Sequence, residues 1–186
     1  MMKKLLIILL TAMLCVTWLA ALAEDAMAAL LPFALTLPQD VTAQENAGGT
    51  SVTFVHGNGM TRVVAMVLER VPDETGDHAA ELTRLMGQFS PDAADYTPLT
   101  LADGCYGLLA VTPGALEGVG GIRVDQVTVM VMWQSPLEGE LLILSGYDMQ
   151  GETARAWTLV DALMQAATVN GMPIVLPAEE MALPQE

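Results

Sequence analysis

Lysine is absent after the fourth residue, and cations are scarce throughout. The 186 residues carry 7 Lys plus Arg against 22 Asp plus Glu, and both lysines, Lys3 and Lys4, lie in the opening segment. The chain beyond Ala23 keeps five arginines, at positions 62, 70, 84, 123 and 155, against all 22 acids, a formal charge of −17. Neutralising phosphates or anionic headgroups takes clustered Lys or Arg, so this pattern argues against nucleic-acid binding and adsorption to anionic lipid. Cysteine is nearly as scarce. With Cys15 in the opening segment, Cys105 stands alone, which excludes an internal disulfide and any multi-cysteine zinc or iron site. Cys105 follows Asp103 and Gly104 at the start of an apolar run, the setting of a small buried hydrophobe. Nucleotide fingerprints are missing too: no GxGxxG joins a strand to a helix, and GVGG at 118–121 has neither the spacing nor the lysine that phosphate binding needs. No GxSxG marks a serine nucleophile, and the serines at 51, 90, 135 and 145 fall in strand, cap or turn contexts.

The opening, MMKKLLIILLTAMLCVTWLAALAEDAMA, has the three parts of an export signal. Lys3 and Lys4 form the positive end and Leu5 to Leu19 the apolar stretch. Ala21, Leu22 and Ala23 place small residues at alternate positions, so cleavage is expected before Glu24. An uncleaved anchor is the alternative, because Leu5 to Leu22 approaches bilayer-spanning length. Cys15 does not fit a lipoprotein signal, since Leu14 precedes it. Removing residues 1–23 leaves 163, enough for one domain, with no stable membrane span remaining. The expected organisation is a lead-in at 24–31, a single α+β domain at 32–173, and a flexible, acidic, proline-containing tail at 174–186.

Periodicity supplies the elements. Phe33 to Leu37 reads as a strand, and so does Thr50 to His56, with Val52, Phe54 and His56 on one side. Gly57, Asn58 and Gly59 make a turn, and the return strand Thr61 to Val71 is apolar on both faces. Leu82, Leu85, Met86 and Phe89 then follow a helical period from about Asp77, which is placed as the N-cap. Thr97 to Leu101 and Cys105 to Val111 flank an Asp103-Gly104 turn, and the glycine-rich stretch 113–121 reads as a flexible loop. Val127, Val129, Val131 and Trp133 alternate with Thr128, Met130 and Met132, then the chain turns at 135–139 into Leu141 to Leu144. A closing helix is expected from Thr153 to Asn170, with Trp157, Val160, Met164 and Ala167 on one face. Strands, a helix, more strands and a closing helix predict an α+β fold, an antiparallel β-sheet with packed helices.

The phrases LTLPQDV, SVTFVHGNG followed by a long strand, the helix ending at Phe89, and ELLILSGYD before the closing helix resemble the Mog1/PsbP-like α-β-α sandwich group, over about Leu31 to Gly171. The nearest flavour is its small exported bacterial DcrB and LpqN types. The resemblance implies a non-enzymatic accessory or binding role; members include a photosystem subunit and a nuclear-transport factor that binds a small GTPase. No signature residue of either falls on a numbered position here.

Chemistry has few candidates. Asp73, Glu74, Asp77 and Glu81 around Gly76 are hard oxygen donors that suit calcium, although the run lacks the EF-hand alternation and a capped, solvated helix start explains the same residues. His56 and His78 are the histidines, and a small hydrolase would need one of them in a cleft with a carboxylate and a hydroxyl or metal. Methionines such as Met130 and Met132 fall in core stripes, the pattern of packing rather than copper capture. Trp133 and Trp157 read as sheet-to-helix packing, with partner anchoring as the alternative. Arg62 and Arg123, with the other arginines, suggest either a shared patch for an anionic peptide or sugar acid, or scattered surface pairing. The sequence-based conclusion is an exported binding or accessory protein of the cell envelope, recognising a protein or small ligand. A small extracytoplasmic hydrolase and a calcium-binding or structural assembly protein are the alternatives.

Overall fold

The computed structural model describes residues 27–70, 76–134 and 139–175. The expected leader, Asp73 and Glu74, most of the turn after Gln134, and the tail from residue 176 lie outside these residues. Ten strands and two α-helices are described: β1 (Phe33–Leu35), β2 (Val41–Glu45), β3 (Ser51–His56), β4 (Thr61–Arg70), α1 (His78–Phe89), β5 (Tyr96–Leu99), β6 (Cys105–Glu117), β7 (Arg123–Gln134), β8 (Gly139–Asp148), α2 (Thr153–Gln165), β9 (Ala167–Val169) and β10 (Met172–Pro173). Seven strands form one sheet in the order β2-β3-β4-β8-β7-β6-β5, every pair antiparallel. β1, β9 and β10 form a small second sheet. No helix among the described residues is long and apolar enough to cross a membrane.

Each face of the large sheet builds its own core. Val63, Ala65, Val127, Val129, Val131, Leu142 and Leu144 point to one side, where α2 packs Val160, Leu163 and Met164 against them and the small sheet adds Phe33, Ala167 and Val169. Their cross-strand neighbours one position along, Met130, Met132, Leu141 and Ile143, point to the other side and meet Leu82 and Met86 of α1. β8 is covered on both sides, so its ELLIL run is almost continuously apolar, whereas β7 alternates valines with Thr128 and methionines. α2 crosses very close to β8. A Cβ at Gly146 would come within 2.6 Å of Val160 Cγ2, so glycine is what permits that approach.

The α-β-α expectation holds, with local differences that have physical causes. The expected loop at 113–121 is largely strand: β6 continues through Pro113 to Glu117 across a bulge between Thr112 and Leu116, where Gly114 has φ +58. The closing helix stops at Gln165 rather than Asn170, because Ala167–Val169 pair with β1. Phe89, expected in the core stripe of α1, is 37% exposed at the helix end. Ile174 and Val175, assigned to the tail, are buried, and Ile174 is clamped from both sides. Its amide donates to the Ala167 carbonyl at 3.1 Å and its carbonyl accepts from the Ala102 amide at 2.8 Å. Leu30, in the lead-in, is likewise fully buried.

Ile174→Ala is therefore expected to lower unfolding stability by about 2–5 kcal/mol, the cost of deleting a buried branched side chain. A denaturant midpoint indistinguishable from that of the parent would show that the segment after β10 is not part of the core.

Candidate functional site

Where β3 turns into β4, the chain runs beside the start of α2, and a half-open groove of 240 Å³ lies between them. Pro38, Val41, Leu159 and Ala162 give it apolar walls, and His56, Asn58, Thr61 and Arg155 bring polar atoms to it. His56 is the last residue of β3, on the face that carries Val52 and Phe54. Its Nδ1 accepts the backbone N–H of Asn58 at 3.2 Å, which places the proton of a neutral ring on Nε2.

The groove rests on a relay of hydrogen bonds. Asn58 Oδ1 accepts the amides of Met60 and Thr61 at 2.9 and 3.0 Å, closing the turn, while its Nδ2 donates to Thr61 Oγ1 at 2.9 Å. Thr61 in turn donates to Asp148 Oδ2 at 2.7 Å. Asp148 ends β8 with its side chain wholly buried, and its Oδ1 accepts the Gln150 amide at 2.9 Å and the Glu152 amide at 3.5 Å. Those amides lead into α2, whose N-cap Glu152 makes no side-chain cap. Asp148 thus supplies from a distance the anion that a helix start prefers. Arg155, half-exposed, stands 3.7 Å from Asp148 Oδ2 and also donates to Gln150 Oε1 at 3.0 Å. Burial alone would raise the Asp148 carboxyl, but the Thr61 hydroxyl, the Gln150 and Glu152 amides and the Arg155 guanidinium outweigh it and hold the group below its ordinary value.

Among the described residues, the candidates chosen from the sequence do not converge. His56 lines the groove, whereas Arg62 belongs to the opposite face of β4 and Trp133 to a second, apolar hollow. That hollow, 370 Å³, is walled by Cys105, Trp133, Val169, Met172 and Val175. Trp133 is half-buried against the core, in keeping with a packing role, and burial pushes the Cys105 thiol up, away from the reactive thiolate. Arg123 Nε donates to the Gly114 carbonyl at 2.9 Å and Asp125 accepts the Gly114 amide at 2.7 Å, so Arg123 fastens the β6 bulge. Arg62 and Arg155 are on opposite sides of the sheet, so these two do not share a patch. Of the oxygen cluster, Asp77 caps α1 by accepting the Ala80 amide at 3.0 Å, and Glu81 is 4% exposed rather than solvated. His78 rests its ring 4.8 Å from that of Tyr106. Among the described residues no three His, Cys, Asp or Glu side chains gather as metal ligands. Asp148 is the residue that sequence reasoning misses; the signal for it is an Asp at a strand end, followed by Gly151 and a helix start.

Asp148 contributes stability in full above the unfolded carboxylate value of about 3.9, and the contribution disappears as pH falls through the lowered folded value. Asp148→Asn is expected to cost roughly 2–4 kcal/mol at pH 7. In urea titrations between pH 2 and 7 the variant should show a smaller acid-side loss than the parent. Equal pH dependence in both proteins would remove Asp148 from its central place.

No known family profile matches the chain, and no curated protein is similar to it in sequence. Solved structures are similar in fold. LpqN of Mycobacterium tuberculosis, described as involved in cell envelope biogenesis, superposes with a TM-score of 0.52 at 15% identity, covering 73% of this chain and 82% of LpqN. The Ran-binding protein Mog1p of Saccharomyces cerevisiae gives 0.49 at 9% identity, over 74% of this chain and 90% of its own. The chain has an α+β architecture, an antiparallel sheet with a helix packed on each face, and shares its fold with LpqN.

Proposed function

We propose that the chain is an exported, non-enzymatic accessory or binding protein of the cell envelope that recognises a partner protein through the His56–Arg155 groove. The observation that carries this reading is the size and wiring of the groove. At 240 Å³ it falls below the usual range of small-molecule pockets, about 300–1,000 Å³, and suits a side chain projecting from a partner surface. Its two hydroxyls are committed to structure: Thr61 donates to Asp148 and accepts from Asn58, and Thr158 donates to the Ala154 carbonyl. His56 Nδ1 is occupied by a backbone amide. A hydrolytic site would instead need a hydroxyl held by the imidazole and an imidazole held by a carboxylate. What the groove does offer is Arg155 and His56 beside Leu159 and Ala162, a combination that accepts an acidic or amide side chain with an apolar stem. The envelope setting rests on the leader-like opening and on the fold shared with LpqN.

A photo-crosslinking residue at Thr158, exposed on the groove rim, is expected to give a discrete protein adduct in the native host. The combined His56→Ala and Arg155→Ala variant should lose that adduct at least tenfold while remaining folded, with an unfolding midpoint lowered by the loss of the Asn58 and Asp148 contacts. Fractionation should place the chain outside the cytoplasm. An adduct that survives both substitutions, or substrate turnover that depends on His56, would replace this reading with one of a different surface or of an enzyme.

A further inference from the structure

The large sheet ends at β2 on one side and at β5 on the other. β5 is four residues long and contains Pro98, which has no N–H to offer a further strand, so that edge is blunted. β2, VTAQE, has neither proline nor lysine. Thr42, Gln44 and Glu45 are exposed and Ala43 is half-buried, so solvent reaches the strand along most of its length.

Two backbone hydrogen bonds at the ends of the β2–β3 ladder fix its phase. The Gly57 amide donates to the Asp40 carbonyl at 2.6 Å, and the Asn46 amide to the Ser51 carbonyl at 2.9 Å. Antiparallel alternation then turns the backbone groups of Asp40, Thr42, Gln44 and Asn46 toward β3, and those of Val41, Ala43 and Glu45 away from it. The Val41 amide folds onto the Pro38 carbonyl at 3.3 Å. The Val41 carbonyl and both backbone groups of Ala43 and Glu45 are left facing outward, and among the described residues no further strand pairs with them.

We propose that the partner of the groove docks as an extended segment that pairs antiparallel with β2 and extends the sheet. The inference rests on the groove reading given above and names the form that its partner takes. Val41 belongs to both features, as the first residue of β2 and as a wall of the groove. It is paired with His56, so a partner residue set against Val41 shares the face of His56 and projects its side chain toward the groove. Partner residues set against Ala43 and Glu45 share that face too. Chemistry fixes the complement: an acid toward Arg155 and the Nε2 proton of His56, an apolar residue over Ala43, and Lys or Arg beside exposed Glu45. Main-chain bonds supply the affinity and the alternate side chains the selectivity. A second copy of this chain meets the pattern poorly. Antiparallel pairing of β2 with itself about Ala43 sets Val41 rather than a cation against Glu45, and brings together two chains that each carry an excess of acids.

The test is titration of the full chain with the capped peptide Ser-Lys-Thr-Val-Thr-Glu-Ser, with its reverse, and with a copy that carries N-methylvaline at the centre. Saturable binding of the first peptide below millimolar concentration is expected, with slowed amide exchange at Ala43 and Glu45. The reversed and N-methylated peptides should bind at least tenfold more weakly, the one with its charges misplaced and the other without its central N–H. Ala43→Pro removes an N–H that faces away from β3, so it should leave the β2–β3 ladder intact and weaken the first peptide at least tenfold. Equal binding of all three peptides, or no binding at millimolar concentration, would overturn the proposal. The Thr158 crosslink separates this inference from the reading beneath it. An adduct that is lost with the combined His56→Ala and Arg155→Ala variant but survives Ala43→Pro would overturn strand addition and leave the groove reading standing. An adduct that survives all of these substitutions would remove both. Concentration-dependent dimerisation that protects Ala43 and Glu45 without any peptide would overturn the proposal in favour of a second copy.

Discussion

The buried carboxylate of Asp148 joins three parts of the chain that are distant in sequence. Through Thr61 it reaches the β3–β4 turn, through the amides of Gln150 and Glu152 it starts α2, and through Arg155 it draws in a side chain of that helix. A charge removed from water is tolerated only when its lone pairs are filled, and three hydrogen bonds plus a guanidinium do that here. Arg155 is half-exposed, so its Coulomb share is screened by solvent and the hydrogen bonds carry more of the stabilisation. The groove follows in part: two of its walls are the elements that Asp148 holds together, and Pro38 and Val41 at the start of β2 supply the third.

The second constraint is that the large sheet must bury both faces with only two helices. α2, assisted by β1, β9 and β10, covers one face along its length, and Gly146 lets the helix approach closely enough to exclude water. α1 is no longer than α2 and has no accompanying small sheet, so it leaves part of its face to polar side chains. Those side chains are hydroxyl and amide groups with one guanidinium, whereas the acids of the neighbouring strand positions, Asp125, Glu140 and Asp148, alternate onto the other face. The strand period of two therefore separates charge as well as hydrophobicity.

The range of each interaction decides how much of the fold is legible in the sequence. β7 is legible because alternating valines and methionines are a local pattern with one solution, and α1 because Asp77 and the Leu82–Met86 spacing agree. The end of α2 is not, because Ala167 continues the helical period of Trp157, Val160 and Met164. Pairing of Phe33 with Val169, across most of the chain, converts that segment to strand. β2 escapes notice because VTAQE is short, polar and at a sheet edge, where only Val41 is buried. The bulge in β6 hides behind Pro113 and Gly114, residues that ordinarily end strands and here bend one. At the groove, His56 is visible as a polar residue on an apolar strand face. Asp148 is hidden, because an acid at a strand end has no local mark of its partner 87 residues away.

Competition for polar atoms also limits which chemistry a sandwich of this kind supports. A catalytic group needs a hydroxyl or imidazole whose lone pairs and protons are left for substrate. In the His56 groove they are already engaged: the turn uses Asn58 and the imidazole Nδ1, and the helix start uses Asp148 and, through it, the Thr61 hydroxyl. Freeing any one of them loosens the walls that define the groove, so reactivity and shape compete for the same atoms. The groups not consumed in this way are the outer edge of His56, the exposed part of Arg155 and the apolar flank of α2, which suit contact more than bond-making. On the proposed reading, those are the groups through which the groove would meet a partner.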